Sequence, residues 1–334
     1  MDRRTFVASV AGGLVALPFA ALGQQPATPG AQQATKMWRI GFLGPSSAAG
    51  SATRIEALRA GLLELGYVEG KNLLIEFRWA DDNYDLLPRL AAELVRLKVD
   101  VIVTYGTPGT TAAKHATTTI PIVMATVGDA VLTGLVANLA RPDGNITGSS
   151  FFNPELAAKR LELLRDAFPR MRRVAVLTNP GNLGMGPVMQ AMEQTATTLK
   201  LELQDVGVRG RGEFENGFAT MITHSAEAVV IVEDAMLNGN LRTIAELSAK
   251  NRLPSIGLPE FAGAGGLMAY GVDQIQMFRH AAFFVDKILK GVRLSDLPIE
   301  RASRFLLVIN MRTAKTLAIA IPPLLVLRAD EVIQ

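Results

Sequence analysis

The chain contains no cysteine. That excludes a disulfide scaffold, a thiolate zinc or iron–sulfur site, a catalytic cysteine and a lipid anchor on an N-terminal cysteine. Histidine is nearly as scarce. His115, His224 and His280 lie far apart, with no H-E-x-x-H or other paired spacing for a metal. Charge is sparse too: 34 Lys and Arg nearly cancel 31 Asp and Glu, leaving a formal +3. The basic residues are scattered, so no stripe for nucleic-acid phosphates forms. There is no G-x-S-x-G elbow and no G-x-x-x-x-G-K-[ST] loop. The first strand pattern runs into Gly44-Pro45-Ser46-Ser47-Ala48-Ala49-Gly50, which is not the G-x-G-x-x-G dinucleotide fingerprint. Gly181-Asn182-Leu183-Gly184-Met185-Gly186 is glycine-rich but lacks phosphate-loop spacing, and it reads as a loop entering a helix. No cofactor is implied.

What is present is apolar residue: 49% of 334 positions, too much for a disordered chain and a length suited to two domains. The first 23 residues read as an export signal peptide. Arg3 and Arg4 precede an apolar run, and Ala21-Leu22-Gly23 forms a small-x-small cleavage site before Gln24. Arg3-Arg4-Thr5-Phe6-Val7 approaches the twin-arginine motif, but Asp2 replaces the usual Ser or Thr, so either export route fits. Residues 24–36, rich in Gln, Pro, Ala and Thr, read as a flexible linker. The expected location is the periplasm, without a lipid tether.

From residue 37 onward, short β-branched runs alternate with longer amphipathic stretches. Strands are expected over 39–43, 73–79, 99–105, 120–127 and 146–151, with helices over 51–65, 86–97, 108–117 and 130–139 between them. The rhythm restarts with strands over 173–178, 202–206, 228–233 and 255–258, and helices over 155–167, 187–199, 213–224 and 241–250. Gly66, Gly144 and Gly291 stand where helix C-caps belong. Near-continuous apolar strands with helical crossovers specify parallel sheets covered on both faces, so the fold class is α/β with two Rossmann-like lobes. A tail follows: a strand over 267–271, a helix over 274–290 and a strand over 305–310. Its return to the earlier sheets would create several connections between lobes and a cleft between them.

Ligands of doubly wound sheets sit outside the carboxyl ends of the strands. Those ends carry Ser46 and Ser47; Tyr105, Gly106, Thr107 and Pro108; Asp129; Thr178 and Asn179; Asp234; Glu260; and Tyr270. Backbone amides at helix starts suit a carboxylate, while Asp129, Asp234 or Glu260 suits an ammonium. The competing reading is that Ser46, Thr107 and Asn179 only cap helices, and that Tyr105 and Tyr270 only pack. Asp81-Asp82 reads as a solvated loop.

Several segments carry a resemblance. They are Gly66-Tyr67-Val68-Glu69-Gly70-Lys71-Asn72, Asp100-Val101-Ile102-Val103 running into Thr107-Pro108, and Leu139-Ala140-Arg141-Pro142-Asp143-Gly144-Asn145-Ile146-Thr147-Gly148. Lys159-Arg160-Leu161-Glu162-Leu163-Leu164, Ala264-Gly265-Gly266-Leu267-Met268-Ala269-Tyr270-Gly271, Val285-Asp286-Lys287-Ile288-Leu289-Lys290-Gly291 and Ala329-Asp330-Glu331-Val332-Ile333 follow in order. Together they resemble ABC-transporter substrate-binding proteins of the tryptophan/tyrosine type, over essentially the whole chain after residue 36. The resemblance implies a type I periplasmic binding fold with hinge crossings near 149–153, 258–264 and 301–305. It implies lobe 1 over 37–150 plus about 264–302, and lobe 2 over 151–263 plus about 303–334. It also implies a monomer that binds a small, amino-acid-like and possibly aromatic molecule and delivers it to a membrane permease. Matching cleft loops are 45–47, 106–108, 128–129, 178–180, Asp234 and 270–271. Glu233-Asp234-Ala235-Met236-Leu237 departs from relatives that carry an Asp before a more aromatic stretch. The alternative is an exported α/β enzyme with Asp129 and Asp234 as an acid/base pair. No nucleophile or metal motif completes that enzyme.

Overall fold

A computed structural model describes residues 36–142 and 144–334, so the expected export signal and nearly all of the linker lie outside the described residues. The first lobe is built from β1 (Trp38–Gly44), α1 (Ala52–Glu64), β2 (Leu73–Trp79), α2 (Leu87–Arg96), β3 (Val101–Thr104), α3 (Gly106–Ala116), β4 (Ile122–Gly128) and β5 (Ile146–Phe151). These strands pair in parallel in the order β5-β4-β3-β1-β2. Strands buried on both faces require apolar residues pointing both ways, and the core accordingly forms two layers. Ile40, Phe42 and Val103 lie under α1, whereas Leu43, Ile102 and Met124 lie under α2 and α3.

The second lobe runs through α4 (Asn153–Ala167), β6 (Arg173–Thr178), α5 (Met185–Leu199), β7 (Glu202–Gly207), α6 (Phe214–Thr223), β8 (Ala228–Ile231), α7 (Ala235–Gly239), α8 (Leu241–Lys250), β9 (Ser255–Gly257), α9 (Pro259–Gly263) and β10 (Met268–Val272). The tail adds α10 (Gln274–Leu289), β11 (Glu300–Arg301), β12 (Phe305–Asn310), α11 (Met311–Leu317), α12 (Pro323–Leu327) and β13 (Glu331–Ile333). The second sheet has the order β13-β12-β10-β9-β8-β6-β7, with β12 antiparallel to β10. In the first lobe, β11 extends the sheet beside β5, and α10 packs on α1, β3, β4 and β5.

The chain therefore passes between lobes three times, after β5, after β10 and after β11. The second passage differs from expectation. Residues 258–264 hold α9, inside the second lobe, because Met268–Val272 pairs with both β9 and β12. The tail segment of the first lobe thus begins near Asp273 and not near residue 264. A second correction concerns 130–139, which is a run of turns and not a helix. Gly134 adopts a φ of 70°, and the Asp129 side chain accepts the Val131 and Leu132 amides, closing a local turn in place of a helix. Gly66 and Gly291 do follow α1 and α10 at φ of 88° and 85°. Gly144, at φ 83°, sits in the turn before β5.

Gly148 allows β5 to approach β4 closely. Its φ is 127°, and an added Cβ would lie 2.2 Å from the Met124 carbonyl oxygen. Opposite it, the β4–β5 register shifts between Met124 and Val127, which re-aims the last residues of β4.

The attachment of α10 to the first lobe depends on close helix approach. A Cβ on Gly61 of α1 would meet the Arg279 carbonyl oxygen at 2.4 Å and the Ala282 Cβ at 2.9 Å. Gly61→Leu is expected to cost about 1–3 kcal/mol through overpacking. Urea unfolding should show a lower midpoint at unchanged m-value, and an unmoved midpoint would refute this contact.

Candidate functional site

The strand ends of the two lobes meet around a narrow cavity. The first lobe contributes Tyr105, Gly106 and Thr107 from the start of α3, Thr126, Val127 and Gly128 from β4, Phe151 from β5, and Gln274 from α10. The second contributes Asn153, Asn182, Glu233, Asp234, Ala235 and Asn238. Of the residues expected from sequence, Tyr105, Gly106, Thr107 and Asp234 meet here.

The start of α3 is uncapped: Tyr105 makes no side-chain cap bond, and no acidic residue stands in the first turn. Gly106, which lines the cavity, has a φ of 68°, a left-handed conformation that suits glycine at the helix start. Beside it, an added Cβ on Gly128 would touch the Asn153 side chain at 3.0 Å, so glycine allows the close approach. Asn153 is buried and its Oδ1 has no hydrogen-bond partner.

Asp234 occupies the position expected to hold an ammonium, but it is fully engaged. Its carboxylate accepts Asn179 Nδ2 at 3.2 Å, Asn182 Nδ2 at 3.0 Å, and the amides of Met236 and Leu237 at 3.0 and 3.2 Å. It also accepts the Tyr84 hydroxyl, which lies 3.0 and 2.9 Å from its two oxygens. Burial pushes the Asp234 carboxyl up, against the downward pull of these donors. Tyr84 is pushed well up by burial and by the Asp234 charge, so it stays a proton donor.

Tyr84 belongs to the first lobe, so this contact crosses between lobes. Further bonds cross beside it. Asp82 accepts Ser46 Oγ at 2.7 Å from its own lobe and Asn240 Nδ2 at 3.0 Å from the other. Arg54 donates to the Asn238 carbonyl at 3.4 Å. A Cβ on Gly50 would lie 2.5 Å from the Gly239 carbonyl oxygen, so the backbones themselves touch. The Asp81-Asp82 pair is therefore more than a solvated loop. Both residues have positive φ, at 48° and 69°, in the turn that presents Asp82.

The remaining expected residues have other partners. Ser46 binds Asp82 as above, Ser47 Oγ accepts the Gly50 amide, and Thr178 Oγ1 donates to Asp205. Asn179 faces an outer hollow with Asp82 and Arg209, and Pro108 faces another with His115 and Leu183. Asp129 lies in a neighbouring hollow with Leu132 and Pro187, its carboxylate occupied by its own turn. The Asp129–Asp234 acid/base pair of the enzyme reading thus finds both carboxylates already committed to backbone and side-chain donors. Tyr270 stacks on Phe305, and its carbonyl accepts Arg160 Nε at 2.8 Å. Arg160 is wholly buried and holds Glu233 in a bidentate ion pair. Among the described residues, no three His, Asp or Glu side chains gather as a metal site requires.

Glu260 stands apart from these. Both of its carboxylate oxygens are buried without a hydrogen-bond partner. Burial raises its carboxyl; Arg54 and its own backbone amide, short of hydrogen-bond geometry, pull it down, while Asp273 and Glu233 push it up. A raised acid favours the folded state below its unfolded value of about 4.3, and loses that advantage as pH climbs through the folded value. Relative to Glu260→Gln, the wild type should therefore lose unfolding free energy as pH rises from about 4 toward neutrality. Chemical denaturation across pH reads this difference, and a flat difference would mean that Glu260 has a partner in the free protein.

The comparisons agree with this architecture. The family model described as ABC transporter substrate binding protein matches residues 45–333. A tyrosine-binding protein of Clostridioides difficile is 25% identical over 257 residues, covering 77% of this chain and 74% of that one. A conserved domain protein from Vibrio cholerae superposes at TM-score 0.81 with 26% identity, over 89% of this chain and 100% of the other. The ABC domain in complex with L-Trp from Streptococcus pneumonia superposes at 0.80 with 24% identity, over the same shares. The two-lobed arrangement is that of type I periplasmic binding proteins. This chain belongs to the ABC transporter substrate-binding proteins.

Proposed function

We propose that the chain captures a free α-amino acid between its lobes and presents the closed complex to a membrane permease. The observation that carries this reading is the cavity between lobes, with the uncapped start of α3 on one side and the unpartnered Asn153 Oδ1 beside it. Free helix amides favour a carboxylate, and a buried orphan oxygen favours an N–H donor. A ligand carboxylate at Gly106 and Thr107, with its ammonium at Asn153 Oδ1, would answer both. Glu233 adds negative character nearby, held in place by Arg160. The relatives named for tyrosine and bound to L-Trp support an amino-acid ligand.

Closure is the whole mechanism in this reading. Open and closed forms exchange by rotation at the three passages between lobes, and a ligand touching both lobes favours the closed form. No bond is made or broken. The segment 1–23 supports export, and the protein then acts as a periplasmic monomer.

Thermal melting with the common amino acids tests the reading, since a ligand bound only by the folded state raises the midpoint. Asn153→Leu should lower affinity by about tenfold or more, the cost of a lost hydrogen bond to a charged group. No response to any amino acid would overturn the proposal. The closure mechanism has its own test. Tyr84→Phe with Asn240→Ala removes three crossing bonds: Tyr84 to Asp234, the Met236 amide to Tyr84, and Asn240 to Asp82. This double variant should enlarge the ligand-free radius of gyration in small-angle scattering and shrink again on ligand addition. A radius equal to the wild type would show that these bonds do not hold the lobes.

A further inference from the structure

A second cavity, of about 420 Å³, lies where the lobes are joined. That volume is within the usual range for small-molecule sites. The cavity shares no lining residue with the one between the lobes. Asp273 of the second passage lines it, and so do Ala302, Ser303 and Arg304, which make up the third. Arg301, also in its wall, holds its guanidinium carbon 3.6 Å from the centre of the Phe152 ring, in the first passage. One cavity is therefore tied to all three connections between the lobes.

Its chemistry is uneven. Val272, Met277 and Ala302 give it apolar surface, continuous with the small core cluster around Phe151 and Leu156. Its acids are engaged: Asp273 accepts the Gln276 amide at 3.0 Å, and Glu300 pairs with His280 Nε2 at 2.8 Å. Its arginines are not. Among the described residues, the Arg304 side chain has no hydrogen-bond or ion-pair partner, and Arg301 has only the Phe152 ring. A lone exposed arginine means little, because water satisfies it. Here two unpaired guanidiniums share one cavity with an apolar floor, and their planar forks match a carboxylate.

We propose that this cavity is a second ligand site, that it takes a small organic carboxylate with an apolar body, and that its occupant favours the closed lobes. Rotation at the passages moves the walls of the cavity, so its fit depends on the lobe angle. The cavity is present with the lobes in contact, and an occupant that fits it there stabilises that arrangement. Met277 joins the two cavities: its Sδ accepts the hydroxyl of Thr126, 3.6 Å away, and Thr126 lines the cavity between the lobes. Each ligand should then raise the affinity for the other by the same factor. The effect on closure rests on the functional reading above; the site itself does not.

Calorimetric titration with hexanoate, hexanamide, hexylamine and inorganic phosphate tests the site. Hexanoate should bind at least about tenfold more tightly than the amide or the amine. Phosphate, charged but without an apolar body, should bind more weakly than hexanoate. Arg301→Gln with Arg304→Gln should lower hexanoate affinity by about tenfold or more. Arg304→Gln alone, which leaves the Phe152 contact in place, should account for part of that loss. Asn153→Leu should leave hexanoate binding unchanged, because Asn153 lines the other cavity. Hexanamide or phosphate matching hexanoate would overturn the proposal. So would hexanoate affinity that survives the double variant or falls in Asn153→Leu. At saturating hexanoate, the tightest amino-acid ligand should bind about fivefold tighter or more, and the double variant should lose that gain. An unmoved amino-acid affinity would overturn the link to closure and leave the site standing. Failure of every amino acid to bind would overturn the functional reading, and the hexanoate titrations would still decide the site.

Discussion

Asp234 is a buried carboxylate surrounded by donors and, among the described residues, paired with no cation. Removing an anion from water is costly unless its lone pairs are filled, and here three kinds of donor fill them. Asn179 and Asn182 bring in the loop between β6 and α5. The amides of Met236 and Leu237 start α7. The Tyr84 hydroxyl brings in the other lobe. One charge therefore organises a loop, a helix start and an interlobe contact at once. Its demand for donors explains why α7, only five residues long, begins where it does and why it faces the first lobe.

That placement sets the terms of closure. α7 docks between the loop after β1 and the start of α1, where Gly50 and Gly239 let the backbones touch. Asp82 and Arg54 then grip the residues at its end, through the Asn240 side chain and the Asn238 carbonyl. Interfaces of this kind are discrete, because close-packed groups either seat or separate. The lobes thus have a closed arrangement held by their own groups, to which a ligand need add only its differential contacts.

Much of the fold was legible because it rests on one-dimensional pattern. Val101–Thr104 and Ala228–Ile231 are buried on both faces, and only continuous β-branched runs meet that demand. The failures came where a local signal was overruled by something distant. Val131 and Leu132 gave 130–139 an amphipathic look, yet Gly134 and the Asp129 side chain close a turn there. The short α9 gave no periodic signal, so the second passage between lobes was placed too early. The site followed the same rule. Strand ends named the start of α3 and Asp234, because the parallel sheet places them. The commitment of Asp234 to Tyr84, 150 residues away in sequence, belongs to tertiary structure alone. Nor does any spacing distinguish Glu260, with unfilled oxygens, from Glu233, paired to the buried Arg160.

The two lobes bring opposite chemistry to the cavity. The first offers the positive end of α3, uncapped by any side chain. The second offers acceptors: Asn153 Oδ1 and Asn238 Oδ1. Each set is poorly satisfied while it faces only its own lobe. A neutral apolar molecule would bury all of these groups unpaired, and an anion would satisfy one lobe while opposing the other. A zwitterion suits both, and only when they are brought together. Under the proposed reading, recognition and closure are then the same event. The ligand supplies the missing partners for each lobe, and the free energy of pairing them appears only in the closed form.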